Sequence, residues 1–139
     1  MKNKFYIDAN IILDYCLDRK EKESAKIVLD SISSGDIIGY TSSSIIHILS
    51  YVLVHEFGVV KTKEVILSII EDLEMIDTPK EIVIQSLHSK MNDIEDALQY
   101  YTAMHHKLEY FITSDRKLKK ESINTLPVFT SSEFVKEFL

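Results

Sequence analysis

Cysteine is nearly absent from this chain, since Cys16 is the only one among 139 residues. A single thiol cannot form an internal disulfide, and the spacing of the histidines does not fit a structural zinc site. Glycine and proline are also scarce, with three and two residues, and no segment has the composition of a linker between domains. We therefore predict one domain over residues 1–139 in a reducing compartment.

Positive charge is in the minority, with 16 lysines and arginines against 22 aspartates and glutamates, which gives a formal charge of −6. This balance excludes a broad basic surface for nonspecific nucleic-acid binding, so a polyanionic substrate must be held locally. The N-terminal MKNKFYIDAN has three apolar residues before an aspartate, too few for a secretory signal, and no apolar stretch approaches membrane length. We predict a cytoplasmic protein without a membrane anchor.

Short apolar runs alternate with helical patterns along the chain. The apolar runs predict strands over residues 4–7, 37–40, 75–76, 110–113 and 128–129. Apolar spacing and capping residues predict helices near 25–32, from Ser44 to the closing Gly58, over 62–73, after Pro79, near 92–101, and after Ser131 and Ser132. This alternation indicates an α/β fold, a three-layer α/β/α sandwich around a mostly parallel sheet of about five strands.

Three aspartates stand next to runs that should be buried. Asp8 and Asp115 each follow a predicted strand, and in such sheets the ligand crevice lies beyond the carboxyl ends of the strands. Asp96 lies beside a predicted apolar helix stripe, which consists of Ile94, Ala97, Leu98 and Tyr101. Unpaired carboxylates at the edge of a core cost free energy unless a positive charge meets them. The three acids therefore predict a Mg²⁺ or Mn²⁺ site suited to phosphodiester hydrolysis.

The same acids have a structural interpretation. Asp8 and Asp115 suit turns and helix N-caps, and Asn92 with Glu95 has the spacing of a capping box. Capping accounts less well for Asp96, which lies farther into its helix. Asp96 is thus the residue that best separates a metal site from a set of helix caps.

The order and context of these acidic phrases resemble the PIN domain, the nuclease fold of toxins in bacterial toxin-antitoxin modules and of other RNA-processing proteins. The resemblance rests on DAN after the first strand, DALQY opening a late helix, TSD after the next strand and the closing LPVFTSSEF. The catalytic metal ligands that it implies are Asp8, Asp96, Asp115 and, as a further candidate, Asp93. It also implies polar support from Asn10 and Ser114.

One acid of the usual PIN pattern is missing. PIN domains usually carry a glutamate in the helix after the second strand, at about the position of His47, and no Asp or Glu occurs between Asp36 and Glu56. A neutral imidazole can bind Mn²⁺ or orient a water, whereas a hydrogen-bonded histidine beside the core would have no catalytic part. Three interpretations stay open: an altered site, a degenerate site, and a site in which another acid compensates.

A basic run directly follows Asp115 and consists of Arg116, Lys117, Lys119 and Lys120. These side chains are placed to meet RNA phosphates while metal ions hold the scissile group. The alternative is a solvated face after a strand. The run is therefore the predicted RNA-binding surface.

The resemblance to PIN domains implies a Mg²⁺- or Mn²⁺-dependent endoribonuclease, the toxin of a toxin-antitoxin pair, with RNA as substrate and an antitoxin protein as partner. Similarity to small PIN toxins also implies a homodimer formed through apolar helical surface. The alternative, favoured by the missing glutamate, is a catalytically weak PIN-like module that binds RNA or protein. A haloacid-dehalogenase-like phosphatase fits less well, because its motif needs an aspartate two positions after Asp8, where the chain has Asn10.

Overall fold

The centre of the protein is a sheet of five parallel strands. The computed structural model describes residues 2–139, and the strand order within them is β3-β2-β1-β4-β5. Every neighbouring pair of these strands is parallel, which confirms the predicted α/β fold. The strands are β1 (Lys4–Ile7), β2 (Ile38–Ser42), β3 (Glu74–Ile76), β4 (Tyr110–Thr113) and β5 (Val128–Thr130).

Helices cover both faces of the sheet. They are α1 (Ala9–Cys16), α2 (Lys22–Ser33), α3 (Ile45–Ile70), α4 (Lys80–His88), α5 (Ile94–His105), α6 (Arg116–Glu121) and α7 (Ser131–Phe138). Side chains of α1, α2, α3 and α7 join one apolar cluster, and those of α5 and α6 join another. Helix α4 packs against α5. These layers form the predicted α/β/α sandwich.

Strand β1 contributes to both cores, because alternate side chains of a strand point to opposite faces. Phe5 and Ile7 belong to the cluster with α1, α2, α3 and α7, whereas Tyr6 belongs to the cluster with α5. The Tyr6 ring stacks on Phe111 of β4 with 4.9 Å between ring centroids. The strand is therefore covered on both faces up to its carboxyl end, where Asp8 follows.

The buried face of α5 differs from the predicted stripe. Ile94 is 59% exposed, and Leu98 and Tyr101 are half-buried. The buried positions are Ala97, Gln99, Tyr100, Thr102 and Ala103. The predicted stripe was wrong because it assumed that the buried face of α5 consists of apolar residues only. This helix also buries the polar side chains of Gln99 and Thr102, which are hydrogen-bonded. Asp96 still lies at the margin of the core, half-buried.

A break divides the long apolar helix α3. By length and composition alone, Ile45–Ile70 is the one helix within residues 2–139 that could cross a membrane, contrary to the expectation that no apolar stretch has such length. Gly58, however, has φ 78° and ψ 170°, a non-helical conformation open almost only to glycine. Each part is about 18–20 Å long, at ~1.5 Å per residue, against roughly 30 Å for a hydrocarbon core. The predicted helix end at Gly58 is therefore a kink.

Candidate active site

Asp8 is buried at the carboxyl end of β1. Its side chain caps α1 by accepting a hydrogen bond from the Asn10 backbone N–H at 3.3 Å. Its Oδ2 accepts from the Thr113 hydroxyl at 2.7 Å, and its Oδ1 accepts from the Gln99 side-chain amide at 3.2 Å. Burial raises the pKa of Asp8 to about 6, against the opposing effect of these hydrogen bonds. The site thus begins with a carboxylate that is costly to ionise.

Gln99 orients Asp8 and was not predicted from the sequence. Its side chain is 2% exposed, and its Oε1 accepts hydrogen bonds from the Tyr6 hydroxyl at 3.2 Å and the Ala9 backbone N–H at 3.3 Å. Because Oε1 is fixed in this way, Nε2 is directed at Asp8. The one signal in the sequence is its position three residues after Asp96, on the same side of α5.

Polar side chains join the end of β1 to the end of β4. The Thr113 hydroxyl donates to Asp8 and accepts from the Asp115 backbone N–H at 3.0 Å. Asn10 donates from Nδ2 to the Thr113 hydroxyl at 3.3 Å, and its Oδ1 accepts from the Ser114 backbone N–H at 3.1 Å. Asn10 and Ser114 therefore lie beside the acids, as expected, and Thr113 is an additional residue that the sequence reasoning missed.

Asp96 and Asp115 meet in a cleft of about 310 Å³ at this edge of the sheet. Burial raises the pKa of Asp96 to about 8. The negative charges of Asp8, Asp93 and Asp115 add to this rise in pKa, as does the side chain of Asp115 as a hydrogen-bond acceptor for the neutral form of Asp96. The structure therefore brings Asp93, Asp96 and Asp115 together at the cleft, whereas Asp8 is buried and lies near enough for its charge to raise the pKa of Asp96. The residues that line the cleft are Asn92, Asp93, Asp96, Asp115, Lys117 and Glu121.

Three of the four acids are also helix N-caps. Asp8 caps α1, Asp93 caps α5 by accepting from the Asp96 backbone N–H at 3.0 Å, and Asp115 caps α6 by accepting from the Lys117 backbone N–H at 2.9 Å. The predicted capping box at the start of α5 is wrong, since Asp93 is the cap. Helix N-termini carry partial positive charge, which stabilises these carboxylates in part. Capping and metal binding are compatible, because a carboxylate has about four lone-pair sites, and within residues 2–139 Oδ2 of Asp8 accepts only the hydrogen bond from Thr113.

The acids of the cleft form no ion pair with the described residues. Within residues 2–139 the acids in ion pairs are Asp14, Asp18, Asp30 and Glu133. Among residues 2–139, no group of three or more His, Cys, Asp or Glu side chains is arranged to hold a metal ion by itself. Carboxylates combined with water are the ligands that Mg²⁺ prefers. By their chemistry, the carboxylates of Asp8, Asp96 and Asp115 suit a divalent cation whose remaining ligands would be water.

His47 lies in a different part of the surface. It is exposed and lines a groove of about 400 Å³ between α3 and α5, together with Tyr51, Glu95 and Leu98. Its exposed position does not fit the alternative of a hydrogen-bonded histidine beside the core. None of the residues that line the acidic cleft lines this groove.

The basic run forms a short helix, α6, rather than an open loop. Lys117 lines the acidic cleft, whereas Arg116, Lys119 and Lys120 line a separate groove towards α7. Lys119 forms an ion pair with Glu133 of α7. The structure thus separates the four predicted RNA-binding residues into two groups.

Residues 4–117, most of the sheet and all four acids included, match the family model of the PIN domain. The chain belongs to the PIN domain family. PIN domains are generally nucleases that use divalent metal ions, which agrees with an acidic cleft at the carboxyl edge of the sheet. No match was found among curated proteins.

This PIN domain shares its fold with solved VapBC toxin-antitoxin proteins and with PAE2754. VapBC2 from Rickettsia felis, bound to a DNA fragment from its promoter, is 16% identical with a TM-score of 0.71, over 91% of this chain and 98% of that one. DNA-bound VapBC from Salmonella typhimurium is 16% identical with a TM-score of 0.70, over 93% of this chain and 98% of that chain. PAE2754 from Pyrobaculum aerophilum is 14% identical with a TM-score of 0.64, over 98% of this chain and 96% of that chain. At these identities the likeness establishes the fold.

Proposed function

We propose that this PIN domain is a Mg²⁺- or Mn²⁺-dependent endoribonuclease and the toxin of a toxin-antitoxin pair. The observation that supports it most strongly is the gathering of Asp8, Asp96 and Asp115 at one edge of the sheet without an ion-pair partner among residues 2–139. Burial, followed by the charges of Asp8, Asp93 and Asp115, raises the pKa of Asp96, so this carboxyl resists ionisation at neutral pH. A bound divalent cation favours the ionised form of all three acids.

The residues of the cleft have separate roles in this proposal. Asp8, Asp96 and Asp115 hold the cation, which when bound lowers the pKa of a water molecule and stabilises charge on the phosphodiester. Gln99 and Thr113 hold Asp8 in one orientation through hydrogen bonds to its two oxygens. Burial of these two side chains limits competing hydrogen bonds from water.

RNA cleavage tests the proposal directly. Structured RNAs incubated with Mg²⁺ or Mn²⁺ are expected to be cut, and EDTA is expected to abolish cutting. Asp8→Asn and Asp96→Asn should each lower the rate about 100-fold or more, since each removes a charged ligand. Asp36→Asn, which changes an exposed aspartate outside the cleft, is the matched control and should retain full activity. Activity that survives both chelation and the cleft substitutions would refute the metal mechanism.

The toxin role is supported by the solved VapBC complexes that share the fold, and it implies an antitoxin protein as partner. Expression of the chain in a bacterial host is expected to arrest growth, and Asp8→Asn should remove this effect. Co-expression of a small neighbouring gene should restore growth and yield a stable complex with the chain. Growth that continues unchanged during expression of a cleavage-competent protein would separate the nuclease from the toxin role.

A catalytically weak module that binds RNA or protein is the second candidate. The observation in its favour is that His47 stands where PIN domains usually carry a glutamate and lines a groove apart from the acidic cleft. Calorimetry with Mn²⁺ distinguishes the two functions. An active site should bind the ion with an affinity that Asp96→Asn abolishes, whereas a degenerate site should bind it weakly in both proteins.

A further inference from the structure

A basic groove lies between α6 and α7, beside the acidic cleft. It has a volume of about 490 Å³, and we call it the basic groove. Its lining residues are Arg116, Lys119, Lys120, Thr130, Ser132, Glu133 and Lys136. Lys136 was not among the predicted RNA-binding residues, because it lies 16 positions after Lys120 and joins the others only through the packing of α7.

The charge of the basic groove is opposite to that of the whole chain. Four basic side chains line it against one acid, in a protein whose formal charge is −6. Lys119 pairs with Glu133, whereas Arg116, Lys120 and Lys136 are exposed and form no ion pair with any of residues 2–139. These three cations are therefore free to meet an anionic ligand.

The position of the basic groove follows from the register of the sheet. Ile7 of β1 pairs with Ile112 of β4, and Thr113 of β4 pairs with Thr130 of β5. The acidic cleft lies beyond β1 and β4, and the basic groove lies beyond β4 and β5, at the same carboxyl edge. Neighbouring strands are about 4.8 Å apart, so an extended chain that crosses this edge passes from one site directly to the other.

Helix α6 connects the two sites. Its N-cap Asp115 and its second residue Lys117 line the acidic cleft, whereas its first residue Arg116 lines the basic groove. A cleft proposed to hold a divalent cation and a groove lined by basic side chains, joined by one helix, suit a ligand that carries negative charges at regular spacing. A nucleic-acid backbone has this property, since it bears one charge per phosphate.

We propose that the basic groove binds backbone phosphates of single-stranded RNA next to the phosphate held at the acidic cleft, an inference that rests on the proposed ribonuclease function. Arg116, Lys120 and Lys136 make the phosphate contacts, and the pair of Lys119 with Glu133 holds α6 against α7. The groove thus positions the strand, while the acidic cleft carries out hydrolysis.

The test is the salt dependence of RNA binding, measured by fluorescence anisotropy of a labelled single-stranded oligoribonucleotide in EDTA, where no cleavage occurs. A triple variant with Arg116→Gln, Lys120→Gln and Lys136→Gln is compared with the unchanged protein. Each phosphate contact with a single strand contributes ~0.7 to the steepness with which log affinity falls against log salt. The triple variant should therefore have a slope that is less steep by about 2. Its RNA affinity at ~0.1 M salt should be lower by at least about tenfold. Lys136→Gln alone should lower the slope by ~0.7.

The matched control is a triple variant with Lys20→Gln, Lys63→Gln and Lys80→Gln, which removes the same charge from exposed positions outside the groove. An equal loss of RNA affinity in both triple variants would overturn the proposal, because net charge alone would explain it. A groove variant that keeps its RNA affinity but no longer binds a poly-glutamate peptide would also overturn it and assign the groove to an acidic protein partner.

The outcomes separate this inference from the proposed function. If the groove variant loses RNA affinity while the unchanged protein never cleaves RNA, the groove is supported and the ribonuclease function fails. If the unchanged protein cleaves RNA and the groove variant binds RNA with the same slope, the ribonuclease function stands and the groove proposal fails.

Discussion

Asp8 combines burial with the absence of an ion-pair partner among residues 2–139, and this combination makes the stability of the metal-free protein depend on pH. The folded-state pKa of Asp8, about 6, lies above its ordinary value of 3.8. Between these values the folded protein binds a proton that the unfolded chain releases, so the contribution of Asp8 to stability is fully present below pH ~4 and is lost as pH rises through ~6. The expected loss is about 3 kcal/mol, at ~1.4 kcal/mol per pKa unit.

Urea unfolding of the metal-free protein between pH 4 and 7 measures this effect. Asp8→Asn should remove only part of the fall, because the raised pKa of Asp96, about 8, also lowers stability over this pH range, whereas Asp36→Asn should leave the pH dependence unchanged. Excess Mg²⁺ should restore stability at pH 7 in the unchanged protein, because the ion binds the folded state. If the unchanged protein and Asp8→Asn showed the same pH dependence of stability, the raised pKa of Asp8 in the folded protein would be contradicted.

Gln99 is the second residue on which the site depends. Gln99→Ala removes the acceptor of the Ala9 backbone N–H and a donor to Asp8, and it leaves a cavity beside the Tyr6 hydroxyl. The expected cost is about 2–4 kcal/mol of unfolding free energy. Gln85→Ala, at an exposed position of α4, is the control and should cost less than about 0.5 kcal/mol. A loss below about 1 kcal/mol for Gln99→Ala would mean that this network does not fix Asp8.

Helices and strands differ in how well the sequence predicts them. Strands β1 and β4 have the predicted bounds, because each is an apolar run that ends at a polar residue beside the site. The cap of α7 is Thr130 rather than Ser131 or Ser132, since the hydroxyl of Thr130 and the side chain of Glu133 satisfy each other's backbone N–H groups. Neighbouring hydroxyl residues are equivalent as caps until the end of β5 is known.

The candidate site was predictable only in part, for a physical reason. Acids that follow strands must come together at the carboxyl edge of a parallel sheet, so Asp8 and Asp115 could be placed from sequence. Gln99 could not, because a buried glutamine and a surface glutamine have the same appearance in a helical pattern. Lys136 could not either, since its approach to Arg116 depends on the packing of α7 beside α6.

Gly58 determines the shape of α3. Its φ of 78° with ψ of 170° is strained for any residue with a Cβ, although a Cβ there would meet no atom within 4 Å. Gly58→Ala is therefore expected to lower the unfolding free energy by about 1–3 kcal/mol through backbone strain alone. Thermal unfolding of Gly58→Ala, compared with that of the control variant Val59→Ala at an exposed neighbouring position, tests this expectation. An increase in stability with increased helix content would mean that the two parts of α3 join into one straight helix.

The whole molecule leaves large apolar side chains of α3 in solvent, with Tyr51 86%, Val60 74% and Leu67 65% exposed. Such exposure is typical of a surface that another protein covers, in agreement with the predicted homodimer. We expect sedimentation equilibrium to give a dimer, and Tyr51→Lys with Val60→Lys to give a monomer. Ile123→Lys, an exposed apolar residue elsewhere, should leave the dimer intact. A monomer in the unchanged protein would contradict self-association through α3.

The central claim is that Asp8, Asp96 and Asp115 together bind a divalent cation. Diffraction from crystals soaked in Mn²⁺, collected where manganese scatters anomalously, tests it most directly. We predict an anomalous peak in contact with all three carboxylates, directly or through ordered water, and its absence from Asp96→Asn crystals. Crystals at saturating Mn²⁺ with no peak in the acidic cleft, or with a peak that persists in Asp96→Asn, would contradict the account.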